Sequence, residues 1–293
     1  MIFTSYVALD WSGARQANGI AIATCAPGRA APRLVSPPDG RRWTRRQALA
    51  WVATLVSGER ALVGFDFAFS LPFERAARYF AQAEPAATDL WALVDAVDDG
   101  GLDLWGGSFA LDPRFAGDFW CRGKQPKNYV VPHRATDLAC REAGLGSPES
   151  PYKLIGAKQV GLGALAGMRV LNRLRGAASV WPFDAIGDRS VLVEIYPRQF
   201  LRRAGAGNRK LRTWNDLRTV LSTFASHAPK PGPKPPSDHD TDALVAAAGL
   251  RALAADAVLW DAPRHDAVAM TREGWIFGVP APRAPMRRDD HAG

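Results

Sequence analysis

Four apolar stretches of the chain each carry a carboxylate that hydrophobic patterning does not explain. They are Asp10 in "SYVALDWS", Asp66 in "ALVGFDFAFSLP", Glu194 in "RSVLVEIYP" and Asp242 in "SDHDTDALVAAAGLRALAA". An ionised carboxylate buried without a partner is costly. Several brought together repel one another and take up protons. A hard divalent cation relieves both penalties, because oxygen ligands suit Mg²⁺ or Mn²⁺. Glu194 on this reading is a metal ligand or an acid just behind one.

The last of these stretches is a helix pattern with Ser237 as its cap. At about 100° per residue, Asp238 and Asp242 are neighbours about 40° apart on one face, and Asp240 points away. The Asp242 face continues through Ala246, Gly249 and Leu253, small or apolar residues suited to packing on a sheet. Asp238 and Asp240 stand in a first turn, where the helix dipole favours acids. Asp242 lies beyond that excuse, and His239 reads as a surface residue of the cap.

The elements that must carry these acids follow in a simple order. Ser5–Ser12, Asn18–Pro27 and Pro32–Gly40 read as three strands, the first two as a hairpin. Thr44–Gly58 reads as a helix, with Thr44 and Gln47 as a capping box and Gly58 as C-cap. Ala61–Pro72 is a fourth strand. Phe73–Val97 is read as helical, Asp98–Arg134 as an irregular Gly- and aromatic-rich insertion, and Lys158–Gly176 as a small-residue helix. "ASVWPFDA" and "RSVLVEIYP" suggest a second hairpin, and Thr213–His227 another helix. Lys230 and Lys234 sit in an extended Pro/Lys segment, "APKPGPKPP". "EGWIFGVP" suggests a late strand, and residues 281–293 read as a disordered tail.

Three strands, a helix, a fourth strand and a final acid-bearing helix resemble the ribonuclease H-like fold. The phrases "DWSG", "GFDFAFSLP", "VEIYP", "DTDALVAA" and "EGWIFGVP" also resemble domain-of-unknown-function family 429, a family of predicted nucleases, in motif order from about Ser5 to Pro280. "HRATDLACR", which holds Arg134, and "IGAKQVGLGALAGMRVL", which holds Lys158 and Gln159, are similar to its middle region. The resemblance implies one α/β domain over residues 1–280, a mixed sheet flanked by helices, with an insertion at about 98–160. It implies two Mg²⁺ or Mn²⁺ ions, with Asp10 bridging them and Asp66 and Asp242 each holding one. Glu194 and Asp238 would orient metal or water. Glu194 lies later in the chain than the extra glutamate of cellular ribonucleases H. Arg134, Lys158, Gln159, Lys230 and Lys234 are the candidate substrate-binding residues.

Composition agrees with a nucleic-acid substrate. The formal charge is +8 over 293 residues, concentrated in arginine clusters such as "GRRWTRRQ" and "FLRRAGAGNRKLR". A basic surface attracts polyanions. Three cysteines with no C-x-x-C pair argue against a disulfide framework or a cysteine zinc site. The N-terminal stretch lacks the pattern of a signal peptide, and no uncharged apolar run reaches the ~20 residues of a membrane span. The expectation is a cytoplasmic protein. Two other readings share the acids: an actin-like phosphotransferase, with "DWSG" and "VDDGG" as its phosphate loops, and a binding module without catalysis.

Overall fold

A computed structural model describes residues 3–121, 123–124, 131–155 and 160–282. Among these residues, six strands form one mixed sheet: β1 (Ser5–Asp10), β2 (Ala21–Cys25), β3 (Arg33–Leu34), β4 (Ala61–Phe65), β5 (Ser179–Val180) and β6 (Val191–Glu194). Their order across the sheet is β3-β2-β1-β4-β6-β5. β2 and β3 run antiparallel to their neighbours, whereas β1, β4, β6 and β5 are mutually parallel. β1, β4 and β6 are apolar on both faces because helices cover both, as parallel strands require.

Among the described residues, ten α-helices accompany the sheet: α1 (Arg45–Gly58), α2 (Phe73–Ala76), α3 (Ala87–Ala96), α4 (Gly107–Leu111), α5 (Ala135–Glu142), α6 (Val160–Leu174), α7 (Pro197–Arg203), α8 (Trp214–Thr223), α9 (Asp238–Leu253) and α10 (Ala257–Asp261). α1, α3 and α6 cover the face of Leu9, Phe65 and Leu192. α7, α8 and α9 cover the opposite face, that of Ala8, Leu62 and Val193. The architecture is therefore a mixed α/β sheet between two helical layers. No single helix among the described residues is long and apolar enough to cross a membrane.

Local chemistry explains most of the element ends. Thr44 and Gln47 close a reciprocal capping box at α1. Gly58 is the last helical residue there, and Glu59 takes the C-cap in extended backbone. Gly13, in the turn after β1, lets α6 approach: a Cβ on it would lie 2.4 Å from the Gly163 nitrogen. The stretch Phe73–Val97 is not one helix. It breaks after Tyr79, and α3 starts afresh with the Asp89 carboxylate accepting from the Ala86 N–H.

Two expectations about strands need correction. β5 and β6 pair in parallel, Ser179 with Val191 and Val180 with Leu192, and not as a hairpin. Trp275–Val279 adds no strand. It contributes a single bridge, Ile276 to Glu194, with the Phe277 N–H donating to the Glu194 carbonyl at 2.8 Å.

Candidate functional site

In a sheet of this kind a crevice opens beyond the carboxyl ends of the parallel strands. Asp10 is the last residue of β1, and Asp66 follows β4 directly, its N–H donating to the Leu9 carbonyl at 2.9 Å. Leu9 and Phe65 are in register, so Asp10 and Asp66 stand side by side one residue further on. Strand alternation turns both toward α9, the face of Ala8 and Gly64. The interaction between the two carboxyl groups pulls Asp10 down and pushes Asp66 up. Burial, then the charges of Asp10 and Asp242, raise Asp66 well above the usual carboxylate range.

Asp242 reaches the same place from the second turn of α9. Burial first, and the Asp10 charge second, push its carboxyl up to about 7, with Arg198 acting in the opposite sense. Asp10, almost fully enclosed, is raised by burial against the pull of His239 and Asp66. Asp10, Asp66 and Asp242 thus lie within electrostatic reach of one another.

His239 is exposed in the first turn of α9, as expected of a cap-region residue, but it also reaches Asp10. Its Nδ1 lies 2.5 Å from the Asp10 Oδ2, although 56% of its side chain remains exposed. The hydrogen bond with Asp10 raises its pKa. Gly19 makes room for the ring. With φ at +90°, it carries no Cβ where one would lie 2.6 Å from the His239 Nε2. The helical wheel contains the signal, because three residues before Asp242 is about 60° from it on the flank opposite Asp238.

Glu194 has a different environment. It pairs in register with Phe65, not with Asp66, so alternation directs it to the face opposite α9. There its Oε1 accepts from the Arg134 Nη2 at 2.6 Å, and its Oε2 accepts from the Arg134 Nη1 and the Phe69 N–H at 2.7 and 2.8 Å. Burial raises this carboxyl, with Arg134 pulling it back down. Its charge still acts on Asp66, but both its oxygens are occupied. The expected role of Glu194 in orienting metal or water gives way to that of a structural ion-pair partner.

Arg134 is corrected with it. The guanidinium is buried and also engages both oxygens of Asp137 and the Glu273 carbonyl, so it presents nothing to a substrate. Asp238 turns outward to Lys210, whose hydrogen bond lowers its pKa. It borders Asp242 without joining the acids. Asp240 closes the α9 capping box with Ser237, yet its charge is felt at Asp10, so it is not fully remote. Lys230 and Lys234 are exposed on the segment before α9. Lys158 and Gln159 lie outside the described residues.

The donors at the site are hard oxygens, the carboxyl groups of Asp10, Asp66 and Asp242. In donor chemistry they fit a divalent cation. Among the described residues, no group of three or more His, Cys, Asp or Glu side chains is arranged to close on one ion as it stands. The "VDDGG" stretch meanwhile serves its own loop: the Asp99 carboxylate accepts from the Gly101 and Leu104 N–H groups and from Arg46.

No protein-family model, curated protein or solved structure matches this chain.

Proposed function

We propose that the protein is a metal-dependent nuclease of ribonuclease H-like fold, hydrolysing phosphodiester bonds in nucleic acid at the Asp10–Asp66–Asp242 site. The observation that carries this reading is the register that sets Asp10 and Asp66 side by side, facing the helix that supplies Asp242. The sheet order supports the fold, with antiparallel β2 and β3 on one side of β1 and parallel β4, β6 and β5 on the other. The basic surface supports a polyanionic substrate.

Asp10, Asp66 and Asp242 would hold Mg²⁺ or Mn²⁺. Bound there, the ions would supply an activated water and stabilise the leaving oxygen. The protein's own residues prepare this. Asp66, raised well above the usual range, and Asp242, raised to about 7, must both be ionised to hold a cation. His239 acts as a positioning residue, fixing the rotamer of Asp10 through Nδ1.

Calorimetric titration with Mn²⁺ tests the reading, together with cleavage assays on labelled single-stranded, duplex and hybrid nucleic acids in Mg²⁺. The expected result is Mn²⁺ binding and cleavage that Asp66→Asn abolishes. Mn²⁺-bound protein should gain ~2.7 kcal/mol of stability at a hundredfold excess over the dissociation constant. A wild-type chain that neither binds Mn²⁺ nor cleaves any of these substrates overturns the proposal.

A further inference from the structure

Arg198 is the second residue of α7, four positions beyond Glu194. The Ile195 N–H donates to the Phe65 carbonyl at 2.9 Å, which holds the start of this segment beside the end of β4 and hence beside Asp66. α7 packs on α9, with Phe200 filling the space that the missing Cβ of Gly249 leaves. Tyr196, between β6 and α7, feels the charges of both Asp66 and Arg198. The guanidinium thus stands at the rim of the acid site, within electrostatic reach of Asp242. It makes no ion pair with that carboxylate, and its Nη1 is buried without an acceptor among the described residues. Arg60, Arg169 and Arg202 also keep one buried N–H without an acceptor, yet each, like Arg45, Arg134 and Arg251, donates from another nitrogen to a carbonyl or carboxylate, whereas Arg198 donates no side-chain hydrogen bond among the described residues. A buried guanidinium N–H left unsatisfied is costly. A planar donor fork at this place matches an anionic phosphoryl oxygen.

We propose that Arg198 binds a non-bridging oxygen of the substrate phosphodiester at the rim of the Asp10–Asp66–Asp242 site. The identity of that anion rests on the nuclease reading. An anion entering among three carboxylates is repelled, and Arg198 supplies a positive charge on the substrate side of Asp242. A lysine would keep the charge and lose the fork.

Arg198→Met and Arg198→Lys, made in the full chain, separate these contributions. Binding of a labelled single-stranded oligonucleotide is measured across salt concentrations in chelator, where cleavage does not interfere. Arg198→Met should reduce the slope of log affinity against log salt by about 0.7, the value for one phosphate contact on a single strand. Arg198→Lys should keep the wild-type slope. In Mg²⁺, both variants should lose about 100-fold in kcat, the usual cost of one oriented donor. If Arg198→Met keeps the wild-type slope and melts at a lower temperature, Arg198 is only a counter-charge for Asp242 and the proposal fails. It fails equally if the wild type binds no oligonucleotide. Mn²⁺ calorimetry separates the two proposals. Wild-type protein that binds no Mn²⁺, yet shows an Arg198-dependent slope, removes the nuclease reading and leaves the anion contact standing. Intact Mn²⁺ binding and cleavage in Arg198→Met, with an unchanged slope, removes Arg198 alone.

Discussion

At the scale of single residues, the site is a set of acids held in an unfavourable state. Asp242, pushed up to about 7, and Asp66, raised well above its usual range by burial and neighbouring carboxylate charges, favour protons in the folded chain that the unfolded chain releases near pH 4. Where the folded state binds more protons, stability falls as pH rises. The raised pKa of His239 acts in the same direction, since its contribution is complete below about 6.5 and is lost as pH climbs through the folded value. Metal-free protein should therefore melt at a progressively lower temperature from about pH 4 to beyond pH 7. Asp242→Asn removes one charge and keeps the shape. It should flatten that decline and raise the neutral-pH melting temperature, by a difference on the order of 1–4 kcal/mol. It should also abolish Mg²⁺-dependent cleavage. A melting curve in which Asp242→Asn destabilises the metal-free protein by ~3–5 kcal/mol would make Asp242 a structural ion-pair member instead. The acids themselves were legible as departures from apolar pattern. What set Glu194 apart was not: one step of register decides which face a strand residue takes, and pattern alone does not reveal what the neighbouring strand places opposite it.

At the scale of elements, local signals carried as far as local physics acts. The Thr44–Gln47 box that starts α1 was readable because capping is completed within four residues. The direction of β5 against β6 was not, because a short link between two brief apolar runs suits a hairpin, and the parallel arrangement is imposed by β6 lying against β4. The pairing of Arg134 with Glu194 spans sixty residues, beyond any spacing rule. The loop between β1 and β2 has a consequence of its own. Gly19 takes a left-handed φ and leaves room for the His239 ring, so a strand connection and the start of α9 jointly fix Asp10. Gly19→Ala should cost about 1–3 kcal/mol from backbone strain, and its Cβ should push the ring away from Asp10. The His239 pKa, followed by NMR, should then fall toward the ordinary value of about 6.5. A His239 titration identical to wild type would show that the ring holds Asp10 without help from Gly19.

At the scale of the whole molecule, the acid site lies in a chain with a formal charge of +8. That combination gives long-range attraction for a polyanion and short-range repulsion where the reaction would occur. On the nuclease reading, the cations that would resolve the conflict fall into two sets. Arg198 stands at the site itself, whereas Arg209, Arg212, Lys230 and Lys234 are exposed on the two segments that lead from α7 to α8 and from α8 to α9. Both segments end beside the N-terminus of α9: Lys210 pairs with Asp238, and the second segment runs directly into Ser237. A strand of nucleic acid crossing this end of the molecule would release counterions from each phosphate it neutralises, so affinity should fall linearly in log salt. Replacing Lys230 and Lys234 together by Ala should reduce that slope by up to about 1.4 for a single strand, with the melting temperature unchanged because both side chains are exposed. An unchanged slope would make the Pro/Lys segment a spacer. Affinity that stays flat from low to high salt in the wild type would remove the polyanion from the account altogether. The acids, still crowded and proton-bound, would then need a small cationic or neutral substrate to explain them.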